Sequence, residues 1–96
     1  MKNLEKNLDS WTIDYTPEAR KLIKKLDKSI AREIYDYMRE IAKLKDVRTR
    51  GKGLKSNLSG LWRYRVRDYR VICRIEDDKL LVLVVHVGKR EIVYDI

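Results

Sequence analysis

The sequence is poor in the residues that usually announce chemistry: one cysteine and one histidine among its 96 residues. A lone Cys73 cannot close an internal disulfide, so no covalent staple is available to the fold. No window approaches the roughly 20 consecutive apolar residues that a membrane helix needs, so no membrane partner is expected. The opening MKNLEKNLDS has no apolar run and does not read as a secretory signal. With one His, one Cys and no paired acids beside either, metal-ligand spacing is missing. GKG at 51–53 does not follow a strand, as a phosphate-cradling glycine loop must. Internal repeats, low-complexity tracts and interdomain linkers are missing as well. Together these absences lead us to expect a cytoplasmic protein without a metal or organic cofactor.

What is present is charge. Hydrophobic residues make up 44% of the chain and charged residues 40%, a balance that fits one small folded domain. The net charge of +8 is uneven: residues 1–47 hold eleven Lys/Arg against nine Asp/Glu, and residues 48–96 hold twelve against six. A basic half points to a polyanionic partner, nucleic acid or an acidic protein. The plainer alternative is a basic but merely solvated surface.

Residues 1–10 read as a flexible lead and residues 11–96 as a single domain. WTIDY (11–15) alternates with period two, as a strand does. Thr16-Pro17-Glu18 is a helix start: a hydroxyl cap, proline at the first helical position, then an acid at the positive end of the helix dipole. Ala19, Leu22, Ile23 and Leu26 form one apolar stripe. Asp27 is placed to cap a second helix, whose stripe runs through Ile30, Ile34, Met38, Ile41 and Leu44. Residues 48–60 read as a basic connection. Strands are expected at 61–67, 69–76 and 79–87, with turns at Asp68-Tyr69 and Asp77-Asp78. The class is α+β: an N-terminal strand, an antiparallel two-helix hairpin, then a three-stranded antiparallel meander with the helices on one face.

Within LWRYRVRDYRVIC (61–73), arginine occupies every second position of the first strand. A two-residue turn at Asp68-Tyr69 sets Arg67 opposite Arg70, Arg65 opposite Ile72 and Arg63 opposite Arg74. Five arginines then share one face with Ile72, while Trp62, Tyr64, Val66, Val71 and Cys73 face the helices. Leu81, Leu83 and Val85 join the arginine side, making an apolar floor ringed with positive charge. His86 shares the parity of Leu80, Val82 and Val84 and is expected on the core side or at the sheet edge. Guanidinium forks in such a row match phosphate oxygens. An arginine ladder neutralised by acids is the competing account, but the acids of this half lie mostly in turns or near its end.

Residues 60–94, GLWRYRVRDYRVICRIEDDKLLVLVVHVGKREIVY, resemble the signature half of the RelE/ParE toxin superfamily, nearer its RelE branch. The landmarks are a basic strand, a YR opening the next strand, an acidic turn, an apolar strand and VGKRE. The preceding GKGLKSNLSG resembles the family's connection, and the helical hairpin fits in order and length. The resemblance implies the toxin of a type II toxin–antitoxin system: a ribosome-dependent, metal-independent mRNA endonuclease acting on the A-site codon. The RNA's own 2′-OH attacks the adjacent phosphate, leaving a 2′,3′-cyclic phosphate and a 5′-OH. The implied partners are an acidic antitoxin and the ribosome with mRNA in its A site, with operator DNA reached through the antitoxin complex.

Carried over by position, the resemblance implies catalytic roles for Arg63, Arg65, Arg70, Arg90 and Tyr94. Lys52, Lys55, Arg67, Arg74 and Lys89 are expected to hold the RNA. Several relatives have lysine where this chain has Arg63 and Arg65. Arginine keeps its proton, so these two are expected to stabilise charge on the phosphate, leaving proton transfer to Tyr94, Lys55 or a ribosomal group. A ParE-like inhibitor of DNA gyrase, with the same fold and no RNA cleavage, is the alternative.

Overall fold

Thr12–Tyr15 (β1) alternates exposed and half-buried residues, as the TIDY pattern requires. In the computed structural model, which describes residues 10–89, Thr16 then caps Pro17–Lys24 (α1), its hydroxyl accepting from the Ala19 N–H at 3.1 Å. Glu18 lies in the first turn and Lys21 and Lys24 in the last, each complementing the helix dipole. Lys28–Ala42 (α2) follows directly. Asp27 stands at its N-cap, but its carboxylate makes no capping hydrogen bond there, contrary to expectation. Ile34, Met38 and Ile41 are fully buried along the stripe, with Ile30 and Leu44 packed at its margins.

The sheet has five strands rather than the four expected, in the order β1-β5-β4-β3-β2. The extra strand is Lys52–Gly53 (β2), an edge formed by the presumed connection; the others are Trp62–Val66 (β3), Tyr69–Glu76 (β4) and Leu81–Lys89 (β5). β1 runs parallel to β5 and every other pair is antiparallel. Ala19 and Ile23 of α1 and the α2 stripe meet Tyr64, Val66, Val71, Cys73, Val82 and Val84 in one core. The helices therefore cover one face of the sheet, as the α+β reading required. No helix among the described residues is long and apolar enough to cross a membrane.

Two turns sit where the sequence did not put them. The β3–β4 hairpin turns at Arg67-Asp68, not at Asp68-Tyr69, because Val66 pairs with Tyr69. Two-residue hairpins need a positive φ to match strand twist, and Arg67 supplies it at +55°. After β4, Asp77–Lys79 form a 3-10 turn, and Leu80 at φ +49° reverses the chain, so β5 starts two residues later than expected.

Residues 47–53 are strapped to the sheet by three contacts. The buried Tyr64 hydroxyl donates to the Val47 carbonyl at 2.7 Å, and Trp62 Nε1 donates to the Arg50 carbonyl at 2.8 Å. Directly after Arg50, Gly51 adopts φ +83°, and a Cβ there would lie 2.3 Å from the Arg63 carbonyl oxygen, so glycine is required. Arg48 adds a two-pronged pair to Asp77 at 2.8 and 2.9 Å, tying the strap to the turn after β4.

Tyr64→Phe removes the hydroxyl but leaves the Val47 carbonyl in the core. Its expected cost is about 1–3 kcal/mol, read from urea unfolding, and an unchanged midpoint would show the strap to be held without it. Burial pushes the Cys73 thiol well above its usual pKa, so it should resist a disulfide reagent in the native state. Its labelling rate should follow global unfolding across the urea range; fast labelling of the native chain would contradict the packing.

Candidate functional site

The register of the sheet builds the site in rows. One row runs Lys52 (β2), Arg63 (β3), Ile72 (β4) and His86 (β5); the next runs Arg65, Arg70 and Gly88. Arg74 begins a third, opposite Leu83 and then Asp14. Directly opposed side chains project from the same face, so Lys52, Arg63, Arg65, Arg70 and Arg74 share one side of the sheet. Tyr64 and Val71, Trp62 and Cys73, and Val66 and Tyr69 are paired in the intervening positions and face the helices. The partition of β3 and β4 into a cationic and a core face is as expected. The individual partners are not: the moved turn sets Arg65 opposite Arg70 and Arg63 opposite Ile72.

Arg65 and Arg70 are like charges on adjacent strands at directly opposed positions, an arrangement that destabilises a sheet. Arg70 is 6% exposed, a buried guanidinium on the central strand, whereas Arg65 is exposed. Arg65 Nε donates to the Arg67 carbonyl at 3.1 Å, which directs the guanidinium along the hairpin. Arg63 is half-buried and lines a cavity of about 330 Å³ together with Lys52, Lys55 and Leu58. Five of the ten expected site residues are thus joined on one face, and Lys55 stands at its rim. Arg90 and Tyr94 lie outside the described residues.

Arg67 and Lys89 do not belong to this face. Arg67 occupies the turn, and its guanidinium forks onto Glu33 of α2 with both contacts at 2.6 Å, on the helix side. That hydrogen-bonded pairing holds the Glu33 carboxyl below its ordinary pKa. A depressed folded pKa means the pair's support is present at neutral pH and fades as pH falls through the carboxylate range. Lys89 pairs in register with Tyr69, its ammonium 5.9 Å from that ring's centre, and lines a groove with Arg67, Lys25 and Asp27.

A β-bulge explains Lys89 and also corrects His86. Ile72 pairs with His86 but Cys73 pairs with Val84, so Val85 is an extra residue in β5. Beyond it every side chain changes face: Val87 and Lys89 turn to the helix side, and His86 and Gly88 to the arginine side. His86, expected on the core side or at the sheet edge, instead pairs with Ile72 inside the sheet and lines a second cavity of about 200 Å³ on the cationic side. Leu54, Leu58 and Leu61 of the β2–β3 connection line this cavity together with Ile72 and Val85, so the expected concave apolar floor is walled there by the connection. Burial lowers the His86 pKa, with Glu18 pulling the other way. The sequence reading misplaced His86 because LLVLVVHV is apolar at both parities, which hides where the alternation slips. Among the described residues no cluster of side chains is suited to a metal ion.

Residues 13–94 match the family described as the ParE toxin of type II toxin–antitoxin systems, parDE. No curated protein matches the sequence significantly. Among solved structures, the toxin–antitoxin complex RelBE2 from Mycobacterium tuberculosis contains a similar chain, with 26% identity over 84% of this chain and 92% of that one and a TM-score of 0.76. A mutant of the E. coli toxin RelE in the free state is 22% identical, with 90% and 92% covered and a TM-score of 0.71. The archaeal RelE–RelB complex from Pyrococcus horikoshii gives 19% identity, 83% and 94% coverage and a TM-score of 0.68. The latter two are likenesses of fold.

The opposition of Arg65 and Arg70 yields a stability prediction. Arg65→Gln should raise the unfolding midpoint in dilute buffer, and the gain should vanish in concentrated salt, where the repulsion is screened. Inorganic phosphate should stabilise the wild type more than the variant. A variant less stable than wild type at every ionic strength would mean that Arg65 has a supporting structural role.

Proposed function

The chain belongs to the ParE toxin family of type II toxin–antitoxin systems, and from that footing we propose that it is a RelE-like, ribosome-dependent mRNA endonuclease. The observation that carries the reading is the pair of rows placing Arg63, Arg65 and Arg70 on one face with Lys52. In the proposed reaction the 2′-OH attacks phosphorus, the P–O5′ bond breaks, and negative charge builds on the phosphoryl oxygens between. Arg63, Arg65 and Arg70 stabilise that charge through paired N–H donors. Lys52, Lys55 and Arg74 hold the flanking backbone.

Arginine does not surrender its proton, so these residues do not serve as general base. Arg90 and Tyr94 complete the proposed site by resemblance; Tyr94, Lys55 or a ribosomal group takes the proton from the attacking 2′-OH and returns one to the departing O5′, and a Tyr94 that does not do so stacks on a base. The partners we assign are the ribosome with mRNA in its A site and an acidic antitoxin, the latter because RelBE2 and the archaeal RelE–RelB pair are toxin–antitoxin complexes. The setting is the cytoplasm. The ParE description of the matched family favours a second reading, inhibition of DNA gyrase without RNA cleavage.

Purified ribosomes programmed with mRNA separate the two. Mapped 5′ ends within A-site codons, present with wild type and reduced about 100-fold or more by Arg70→Ala, are the expected result. Circular dichroism on the same variant checks that it is folded. Undiminished single-turnover cleavage by folded Arg70→Ala would remove Arg70 from the site. Loss of supercoiling by gyrase, with intact mRNA, would establish the second reading.

Tyr94→Phe and Tyr94→Ala distinguish the roles proposed for the tyrosine. A loss confined to the alanine variant identifies base stacking, a contact worth about 1–3 kcal/mol. A loss in both, in the chemical step, identifies proton transfer, and wild-type rates in both would exclude Tyr94.

A further inference from the structure

Arg67 is a single turn residue that joins the two sides of the sheet. Its guanidinium forks onto Glu33 of α2, in the helix layer. Its carbonyl accepts from Nε of Arg65, a residue of the cationic face, at 3.1 Å. The φ of +55° at Arg67 belongs to a turn position that favours Gly, Asn or Asp. An arginine there is explained by what its length reaches, a carboxylate 34 residues away.

Glu33 is set apart from the other acids of α2. Asp36 pairs with Arg39 and Glu40 with Lys43, each three residues along the helix, and such neighbours support the helix itself. Glu33 instead spans to the β3–β4 hairpin. The side chains of Arg67 and Glu33 are 60% and 40% exposed, so their pairing contributes little to stability. What it fixes is geometry, because two parallel N–H···O contacts leave a planar guanidinium little freedom to turn on a carboxylate. With the side chain of Arg67 held, its carbonyl becomes a stationary acceptor for Arg65 Nε. Arg65 needs such an anchor, since Arg70 lies directly opposite and like charges drive the two apart.

We infer that Glu33 is a positioning residue for Arg65: through Arg67, it orients the Arg65 guanidinium on the cationic face to meet a phosphate. The bond to the Arg67 carbonyl uses Nε, which leaves the two Nη groups as the fork for phosphate oxygens. The inference rests on the reading of the cationic face as a phosphate site and adds to it a support from the opposite side of the sheet. Plain electrostatics predicts the opposite sign. Glu33→Gln removes a negative charge, which by itself would tighten the binding of an anion. Loss of positioning weakens it.

The full-length protein is titrated with inorganic phosphate while the Arg65 Nε–H is followed by NMR, its signal identified by its loss in Arg65→Lys. Glu33→Gln should keep the wild-type circular dichroism spectrum and speed exchange of the Arg65 Nε–H with water. It should weaken phosphate about tenfold, the effect of one charge-assisted contact. Reversing the pair, Glu33→Arg with Arg67→Glu, keeps the net charge and should restore slow exchange and phosphate affinity. Asp77→Asn, which breaks the other forked pair, should leave the Arg65 signal as in wild type. On programmed ribosomes, single-turnover cleavage by Glu33→Gln should fall about tenfold. Unchanged Arg65 exchange in Glu33→Gln, phosphate bound as tightly or more tightly, or no restoration by the reversed pair would overturn the inference. If phosphate responds as expected but the wild type cuts no mRNA, the role of Glu33 stands and the nuclease reading falls. If Glu33→Gln cuts mRNA as fast as wild type with the Arg65 signal unmoved, the nuclease reading stands and the inference falls.

Discussion

A strand has two faces, and the central strand β4 must give one of them wholly to the helices. Val71 and Cys73 are fully buried against the α1–α2 layer, so Arg70, Ile72 and Arg74 have nowhere to project but the far side. β3 obeys the same pleat, with Tyr64 and Val66 inward and Arg63 and Arg65 outward. The concentration of guanidinium groups is therefore a consequence of core packing: the hydrophobic gain on one face fixes the cationic row on the other. A one-residue slip would bury the arginines and expose the core, which ties the integrity of the site to that of the fold.

On this rigid frame two local irregularities shape what the cationic face can bind. The bulge at Val85 adds one residue to β5, and by changing the parity beyond it brings His86 to the cationic side and sends Lys89 away. The strap from Val47 to Gly53, pinned by Tyr64, Trp62 and the φ of Gly51, adds β2 and so aligns Lys52 with Arg63. The connection that follows folds Leu54, Leu58 and Leu61 over Ile72 and Val85, making a small apolar cluster apart from the main core. The result is a basic face with a small apolar cavity beside it, where the sequence alone had implied a concave apolar floor ringed with positive charge.

The remaining cations are used differently. Arg67 and Arg48 each form a forked pair with a carboxylate, Glu33 and Asp77, that closes one part of the chain on another. These pairs are solvent-exposed, and their worth is in geometry more than in energy. They also show why charge counts overstate a nucleic-acid surface: two of the most prominent arginines are spent on the protein's own acids, one of them contributed by the first half of the chain.

The sequence by itself determined the class, the helix start at Thr16-Pro17, the stripe of α2, and the division of β3 and β4 into core and arginine faces. All of these depend on local propensity or on a period of two or 3.6, which a short segment carries within itself. The family, too, was legible, because its landmarks follow one another along residues 60–94. Tertiary structure alone decided the position of the β3–β4 turn, the pairing of Arg65 with Arg70, the existence of β2 and the side on which His86 stands. A turn without an Asn-Gly signal is placed by how its strands pair. A bulge inside an all-apolar run leaves no trace in the alternation. The partner of Arg67 lies 34 residues away, a distance that only the packing of α2 against the sheet brings to contact.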